Sequence, residues 1–361
     1  MRILIIKLSA IGDVVHTLPA AAMLKRALPE AHIGWVVERR ASAILQGSPA
    51  IDELIELDTR AWRKSPFQTT TNGAVREQLH RLRGKFDIAI DFQGLLKSGL
   101  VARVSNAPRR VGFATEELRE KASRIFLTEQ ISTSSVRHII DKNLALANSI
   151  LPAQSSEIAT CGNDYEFPIF VSPEDERYIA EQVTARADSF AILNPGGGWA
   201  TKLWQTEKFS AVADWLWQEY GITSFVTYGP GEEHLAHSVA ENSRQKAAIP
   251  LASTLKQFVA LARRANLFVG GDTGPLHIAA ACRTPIIGLY GPTLPERNGP
   301  FDKTDITVGR DLWCRADCHK RKCWHWQCME ISVAEVIQAI DVRLARAKNV
   351  SNQSQPLAFN V

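Results

Sequence analysis

The run Leu267-Phe268-Val269-Gly270-Gly271-Asp272-Thr273-Gly274-Pro275-Leu276-His277 passes without a break into Ile278-Ala279-Ala280-Ala281. Its apolar start reads as a buried parallel strand, two glycines turn the backbone, and a helix of small residues follows. Pro275 suits the first helical turn, where its missing N–H costs nothing. Asp272 and Thr273 can cap that helix, and the free amides at its start make a seat for an anion such as a diphosphate. His277 projects from the first turn toward the same seat. Any strand–turn–helix corner needs glycine and a cap. A histidine and a hydroxyl beside the seat go beyond that need, so the run reads as a diphosphate-binding corner of an α/β sheet.

The alternation continues on both sides of this corner. Upstream, Ile3–Ile6, Ile33–Val37 and Ile88–Asp91 read as strands, with helices expected over Asp13–Leu28 and Thr69–Arg83. Nearer the corner, Ala191–Leu193, Ser224–Tyr228, Leu267–Val269 and Pro285–Tyr290 read as strands, and Ser210–Tyr220 and Leu255–Arg263 as helices. Strands alternating with helices predict an α/β protein built from two doubly wound, Rossmann-like parallel sheets. Pro152, Ser155, Ser156, Gly162, Asn163 and Pro168 interrupt the pattern, which places an inter-domain linker across Leu151–Phe170. The expected domains are residues 1–160 and 161–332. Residues 333–361 add a helix over Val333–Lys348, which can return to the first domain, and a loose polar tail. Ligands of open α/β sheets lie beyond the carboxyl ends of the strands, so a cleft between two such facing domains is the expected active site.

Size and composition agree. A chain of 361 residues exceeds the usual single domain. Hydrophobic content of 45% and charged content of 22% fit an ordinary soluble globular protein. No run approaches the roughly 20 apolar residues that span a bilayer. The four apolar residues between Arg2 and Lys7 are too few for a secretory signal, so a cytoplasmic location is expected. The net charge of +4 is unevenly spread: residues 60–124 carry 14 Lys and Arg against 6 Asp and Glu, and the remainder 28 against 32. A local positive face suits an anionic partner such as a phosphorylated lipid or a nucleic acid, although a solvated basic helix gives the same count. A nucleic-acid-binding module would interleave exposed aromatics along that stretch, which this window is expected to lack, so that reading is the least favoured.

Three further segments carry chemistry. Gly12 and Asp13 follow the first strand, so Asp13 is either a helix-capping carboxylate or a general base able to take a proton from an attacking hydroxyl. Gly196, Gly197 and Gly198 follow another strand and leave amides bare for phosphate oxygens, with Lys202 close behind as a mobile positive charge. Glu232, after the strand ending at Tyr228, can bond ribose hydroxyls or complement a helix dipole.

Taken together, Ser9-Ala10-Ile11-Gly12-Asp13-Val14-Val15-His16-Thr17-Leu18-Pro19, the Lys202/Trp204 loop, Gly271-Asp272-Thr273-Gly274-Pro275-Leu276-His277 and Tyr290-Gly291-Pro292-Thr293 resemble the glycosyltransferase family 9 heptosyltransferases, which build the lipopolysaccharide inner core. The resemblance runs from Met1 to about Pro300. Arg60-Ala61-Trp62-Arg63-Lys64, Asp91-Phe92-Gln93-Gly94-Leu95-Leu96-Lys97-Ser98 and Arg119 look most like the acceptor side of members that add the first heptose. The resemblance implies a GT-B fold and an inverting transfer from ADP-L-glycero-β-D-manno-heptose to the first Kdo (3-deoxy-D-manno-octulosonic acid) of Kdo2-lipid A, at the cytoplasmic face of the inner membrane. It implies that Asp13 is the catalytic base and that Lys202 supports catalysis. Lys202, Thr273, Gly274 and His277, with Gly196 and Gly197, would hold the diphosphate, Asp272 the heptose and Glu232 the ribose. Arg60, Arg63, Lys64, Lys97 and Arg119 would meet acceptor phosphates and carboxylates. The basic excess falls over those acceptor positions. No cofactor is expected for the transfer itself. Other family 9 transfers, such as addition of the second heptose, and a nucleotide-sugar epimerase remain alternatives.

Cys314-x3-Cys318-x4-Cys323-x4-Cys328, with His319 and His325 between, departs from the first-heptose pattern. Four thiols at this density can enclose a structural Zn²⁺, pack as free thiols, or form a redox pair. Trp313, Trp324 and Trp326 beside them are expected to pack a small core. The other reading lays them on a membrane interface with Arg321 and Lys322.

Overall fold

The structure is a computed structural model that describes residues 1–59, 77, 80–152, 165–314, 318 and 321–353, excepting the side chains of 347–353. It divides into two compact units, Met1–Phe170 and Val171–Val361. The first holds β1 (Arg2–Ile6), β2 (His32–Glu38), β3 (Glu53–Leu57), β4 (Ile88–Asp91), β5 (Arg109–Phe113) and β6 (Glu129–Ile131), all parallel, in the order β3-β2-β1-β4-β5-β6. The second holds β7 (Phe190–Asn194), β8 (Thr223–Tyr228), β9 (Ala248–Ala252), β10 (Leu267–Gly271), β11 (Ile286–Tyr290) and β12 (Ile306–Gly309), again parallel, in the order β12-β11-β10-β7-β8-β9. Counted within its own unit, each sheet runs 3-2-1-4-5-6. The order reverses between β1 and β4 and between β7 and β10. At such a switch point the loops leaving the two central strands part to opposite faces and open a crevice at the carboxyl edge.

Register fixes what lies at each crevice. Ile6 pairs with Asp91, and Gly270 with Asn194, so the loops after these pairs start side by side. The central strands are apolar without alternation because both faces are covered: Ile3 to Ile6 and Leu267 to Val269 are fully buried.

The strands that the sequence reading misses, β3, β5, β6, β9 and β12, lie away from the switch point; β3, β5 and β6 carry charges, β9 a proline, and β12 is only the short run Ile306-Thr307-Val308-Gly309. Arg109 of β5 forks onto Glu129 of β6 at 2.8 and 3.0 Å, so a charged pair takes the place of an apolar signal there. β9, at a sheet edge, contains Pro250, which edge strands tolerate. The expected helix over Asp13–Leu28 is two helices, Ile11–Val15 and Leu18–Ala27. Pro19 has no N–H to give to Val15, and Thr17 Oγ1 donates to the Asp13 carbonyl at 2.9 Å in the break. The helix expected over Thr69–Arg83 lies mostly outside the described residues.

Of the expected linker, Tyr165 to Phe170 belongs to the first unit. Tyr165 Oη donates to Asp141 at 2.6 Å, and a Cβ on Gly47 would stand 2.6 Å from the Phe170 ring. The C-terminal helix Val333–Gln353 packs its described buried side chains into the second unit. Val336 and Ile340 are fully buried in the core of the second, and Arg343 Nε donates to Asp305 at 2.9 Å. Its apolar stripe finds its cover there. Among the described residues no helix is long and apolar enough to cross a membrane.

Candidate active site

In the second unit, β10 delivers Asp272 to the switch point and the helix Gly274–Ala281 starts directly after it. Asp272 is 5% exposed and does not cap that helix. Its Oδ2 accepts from Lys202 Nζ at 2.6 Å and its Oδ1 from Asn298 Nδ2 at 2.8 Å, with His277 Nε2 3.1 Å from Oδ1. Thr273, at the N-cap position, turns its hydroxyl to the Gly271 carbonyl rather than to a helix amide. The corner is therefore organised by a buried carboxylate and not by a cap. Burial alone would raise the Asp272 carboxyl. The hydrogen bond and charge of His277, followed by the charge of Lys202, more than offset it and hold the group well below the usual carboxylate range. Tyr290, fully buried behind it, is pushed far above the usual phenol by burial and by the Asp272 charge.

Lys202 reaches this point from the β7 loop, at the end of a 3-10 turn over Ala200–Lys202. Its ammonium also donates to the Asp272 carbonyl at 2.8 Å and lies 4.7 Å from the Trp199 ring centroid. The cation expected to be mobile is pinned, because a buried carboxylate is a stronger partner than solvent. The glycine run is likewise not bare. Glu232 Oε1 accepts from the Gly197 amide at 3.0 Å and its Oε2 from the Gly229 amide at 3.1 Å. A Cβ on Gly196 would stand 2.3 Å from Glu232 Oε2, so only glycine lets the carboxylate approach. Lys202, Asp272, Thr273, Gly274 and His277 thus share one corner, and Gly196, Gly197 and Glu232 share the adjoining loop pair.

In the first unit the β1 loop carries Asp13, the third residue of the helix Ile11–Val15, half-buried, with Oδ2 accepting from the Ala10 amide at 3.1 Å. The capping role therefore exists, and it occupies one carboxylate oxygen. Residues from β4 hold this loop. Gln93 Oε1 accepts from the Leu8 and Ser9 amides at 3.0 and 3.2 Å, and the buried Lys7 ammonium donates to the Phe92 carbonyl at 2.7 Å. Asp91, fully buried, accepts from the Gln93 and Gly94 amides and from Ser98 Oγ at 2.9, 3.2 and 2.9 Å. Burial raises its carboxyl against those donors.

Lys97 stands on the helix Leu96–Ser105 with Nζ 3.5 Å from Glu38 Oε1, which the Thr59 hydroxyl also engages. Arg119 is exposed on the loop after β5, and the next amide, Glu120, donates to the Gly94 carbonyl at 3.1 Å. Arg60, Arg63 and Lys64 lie outside the described residues. Sequence reasoning assigned no role to Lys7, Asp91, Gln93 or Asn298. Asp91 and Gln93 lie in the segment Asp91–Ser98 that carries the family resemblance, but nothing in the sequence signals that Asn298 meets Asp272.

Cys314, Cys318, Cys323 and Cys328 line a single cavity with Thr201, Pro292, His325, Trp326 and Gln327. Cys323 Sγ lies 3.7 Å from His325 Nδ1. Burial pushes the Cys328 thiol up, and Cys318, Cys323 and Cys314 push it the same way. None of the four is joined in a disulfide, and among the described residues no three His, Cys, Asp or Glu side chains form an assembled metal-binding group, so the structural zinc of the sequence reading is not shown. The small tryptophan core does not form: Trp313 and Trp324 are 90% and 92% exposed. Trp326 alone engages the unit, donating from Nε1 to the Thr201 carbonyl at 3.0 Å.

Two doubly wound six-stranded sheets, the second with a lysine–carboxylate corner at its switch point, are the architecture of the GT-B class. The chain belongs to glycosyltransferase family 9 (heptosyltransferase), whose sequence model matches residues 75–326. It is 30% identical to lipopolysaccharide heptosyltransferase 1 of Pseudomonas aeruginosa, covering 90% of this chain and 87% of that one. Two solved structures share the fold. E. coli heptosyltransferase WaaC with ADP superposes with a TM-score of 0.73 at 25% identity, covering 95% of this chain and all of the other. E. coli ADP-heptose lps heptosyltransferase II does so with a TM-score of 0.74 at 21% identity, covering 96% of this chain and 100% of that one. The fold is GT-B, and the protein is a glycosyltransferase of the heptosyl-transfer family.

Proposed function

We propose that the chain moves L-glycero-D-manno-heptose from ADP-heptose, with inversion, to the first Kdo of Kdo2-lipid A in lipopolysaccharide inner-core synthesis. One observation carries the donor half: Lys202 and Asp272, seventy positions apart in sequence, meet at 2.6 Å on the carboxyl edge of β7 and β10. The similarity to lipopolysaccharide heptosyltransferase 1 of P. aeruginosa supports the acceptor half.

In the proposed reaction the helix terminus at Gly274, the amide of Gly197 and the Lys202 ammonium meet the ADP diphosphate, Glu232 the ribose and Asp272 the heptose. Donor binding then divides two partnerships seen in the free protein. Glu232 yields the Gly197 amide, and Lys202 shares its charge between Asp272 and phosphate. Asp13 accepts the proton of the acceptor hydroxyl as that oxygen attacks the anomeric carbon from the side opposite ADP. Negative charge grows on the leaving diphosphate, so groups already fixed around it stabilise the transition state more than the ground state. Lys202 and the helix terminus supply that charge without a divalent ion in the step. Lys97 and Arg119, with Arg60, Arg63 and Lys64, are proposed to meet the anionic acceptor. Presentation of lipid A places the enzyme peripherally on the cytoplasmic face of the inner membrane.

The test is product formation from ADP-heptose with Kdo2-lipid A or with heptosyl-Kdo2-lipid A, read by mass spectrometry. Turnover on the first acceptor is expected. Turnover on the heptosylated acceptor alone would replace this reading with addition of the second heptose, and donor conversion without acceptor would indicate an epimerase.

A further inference from the structure

The cysteine-bearing segment is poorly supported by ordinary means. Between β12 and the helix Val333–Gln353, the regular structure among the described residues is one 3-10 turn, Gln327–Met329. Among the described residues the segment is rooted near its two ends, by Leu312 packed against the core and by Cys328, Met329 and Ile331 within it. Yet its four described cysteines converge on one cavity, whose remaining lining includes an imidazole and no carboxylate. Cysteines that serve only as small apolar fillers have no reason to share a wall. A wall of thiols and an imidazole without hard oxygen donors selects a soft, thiophilic ion over magnesium or calcium.

We propose that Cys314, Cys318, Cys323 and Cys328 bind one thiophilic transition-metal ion, of the zinc or ferrous class, and that the ion braces the loop carrying Lys202. Each thiol releases its proton to solvent as its sulfur bonds the ion, and no electron is transferred. The sulfurs line the cavity without yet meeting at one point, so binding draws the segment in by side-chain rotation. Its consequence for the loop follows from three contacts. Trp326 Nε1 holds the Thr201 carbonyl at 3.0 Å, the Arg321 guanidinium lies 5.5 Å from the Trp199 ring centroid, and Thr201 itself lines the cavity. Fixing the four sulfurs therefore fixes residues 199–202 from behind. This proposal stands apart from the choice of substrate, because its readouts need neither donor nor acceptor.

The experiment uses the full chain purified without chelator from cells supplied with zinc or with iron. Elemental analysis should find about one metal ion per chain, and its identity separates zinc from iron. Titration of the metal-free chain with Co²⁺ should produce sulfur-to-cobalt charge-transfer absorption. Metal removal should speed amide exchange at residues 199–203. The double variant Cys314→Ser, Cys318→Ser should lose the ion, while Cys282→Ser should keep it. Metal at background level in the wild-type chain, with no cobalt band, would overturn the site; the cobalt titration decides the question even if the double variant fails to fold. A disulfide among the four as purified would overturn it too. Unchanged exchange at 199–203 on metal loss would remove the bracing role.

Discussion

Asp272 shows how much one carboxylate can organise when it is buried with three donors. Its type and position were legible, since an aspartate after a Gly-Gly turn at a strand end is a phosphate-corner signal. Its role as a hub was not, because Lys202 and Asn298 come from other segments of the chain and only folding brings them within 2.6 and 2.8 Å. The folded carboxyl titrates below its ordinary value, so as the pH falls the unfolded chain takes up this proton first. The stability it contributes is complete above about pH 5 and drains away below about pH 4. Asp272→Asn should therefore be less stable at neutral pH, with a flatter acid limb in urea unfolding followed across that range; parallel acid limbs would contradict the depressed carboxyl. Asp13 lends itself to a kinetic test. Asp13→Ala should lower kcat by about 10²–10⁴-fold while leaving ADP affinity nearly unchanged by calorimetry. Full turnover in that variant would leave the residue as only the cap that its 3.1 Å bond to Ala10 describes.

Among the elements, those at the two switch points were the most legible. β1, β4, β7 and β10 are short and continuously apolar because they are covered on both faces, and that is a local signal. β5 and β6 were hidden because pairing between charged side chains, Arg109 with Glu129, replaces apolar patterning there, while β9 is interrupted by Pro250. The Gly196 loop depends on a contact that sequence does not record. Gly196→Ala would press a methyl to 2.3 Å from Glu232 Oε2, so the carboxylate must leave the Gly197 and Gly229 amides. A raised KM for the donor with a smaller change in kcat is expected from initial-rate kinetics. The C-terminal helix makes a separable prediction. Ile340 is fully buried in the core of the second unit, and Ile340→Ala should cost about 2–5 kcal/mol in denaturant unfolding. A neutral outcome would mean that the helix does not form part of that core.

On the scale of the whole molecule, two sheets of one topology present different groups at their switch points: the Lys202–Asp272 pair in the second unit and Asp13 in the first. ADP alone should therefore protect amides around 196–203 and 272–277 in hydrogen exchange and leave the loop around Asp13 unchanged. Protection confined to the first unit would reverse the assignment of donor and acceptor. The sequence by itself determined the α/β class, the two central strands of each sheet and the candidate corners, because burial periodicity, glycine turns and helix starts are encoded within a dozen neighbouring residues. Tertiary structure alone decided that Lys202 is pinned rather than mobile, that Glu232 covers the glycine amides, that Asn298 completes the Asp272 hub and that Val336 and Ile340 of the last helix are buried in the core of the second unit. Each of these depends on contacts between segments tens of residues apart. Their energies come from burial and from charge pairing in a desolvated setting, which a local reading of the chain does not contain.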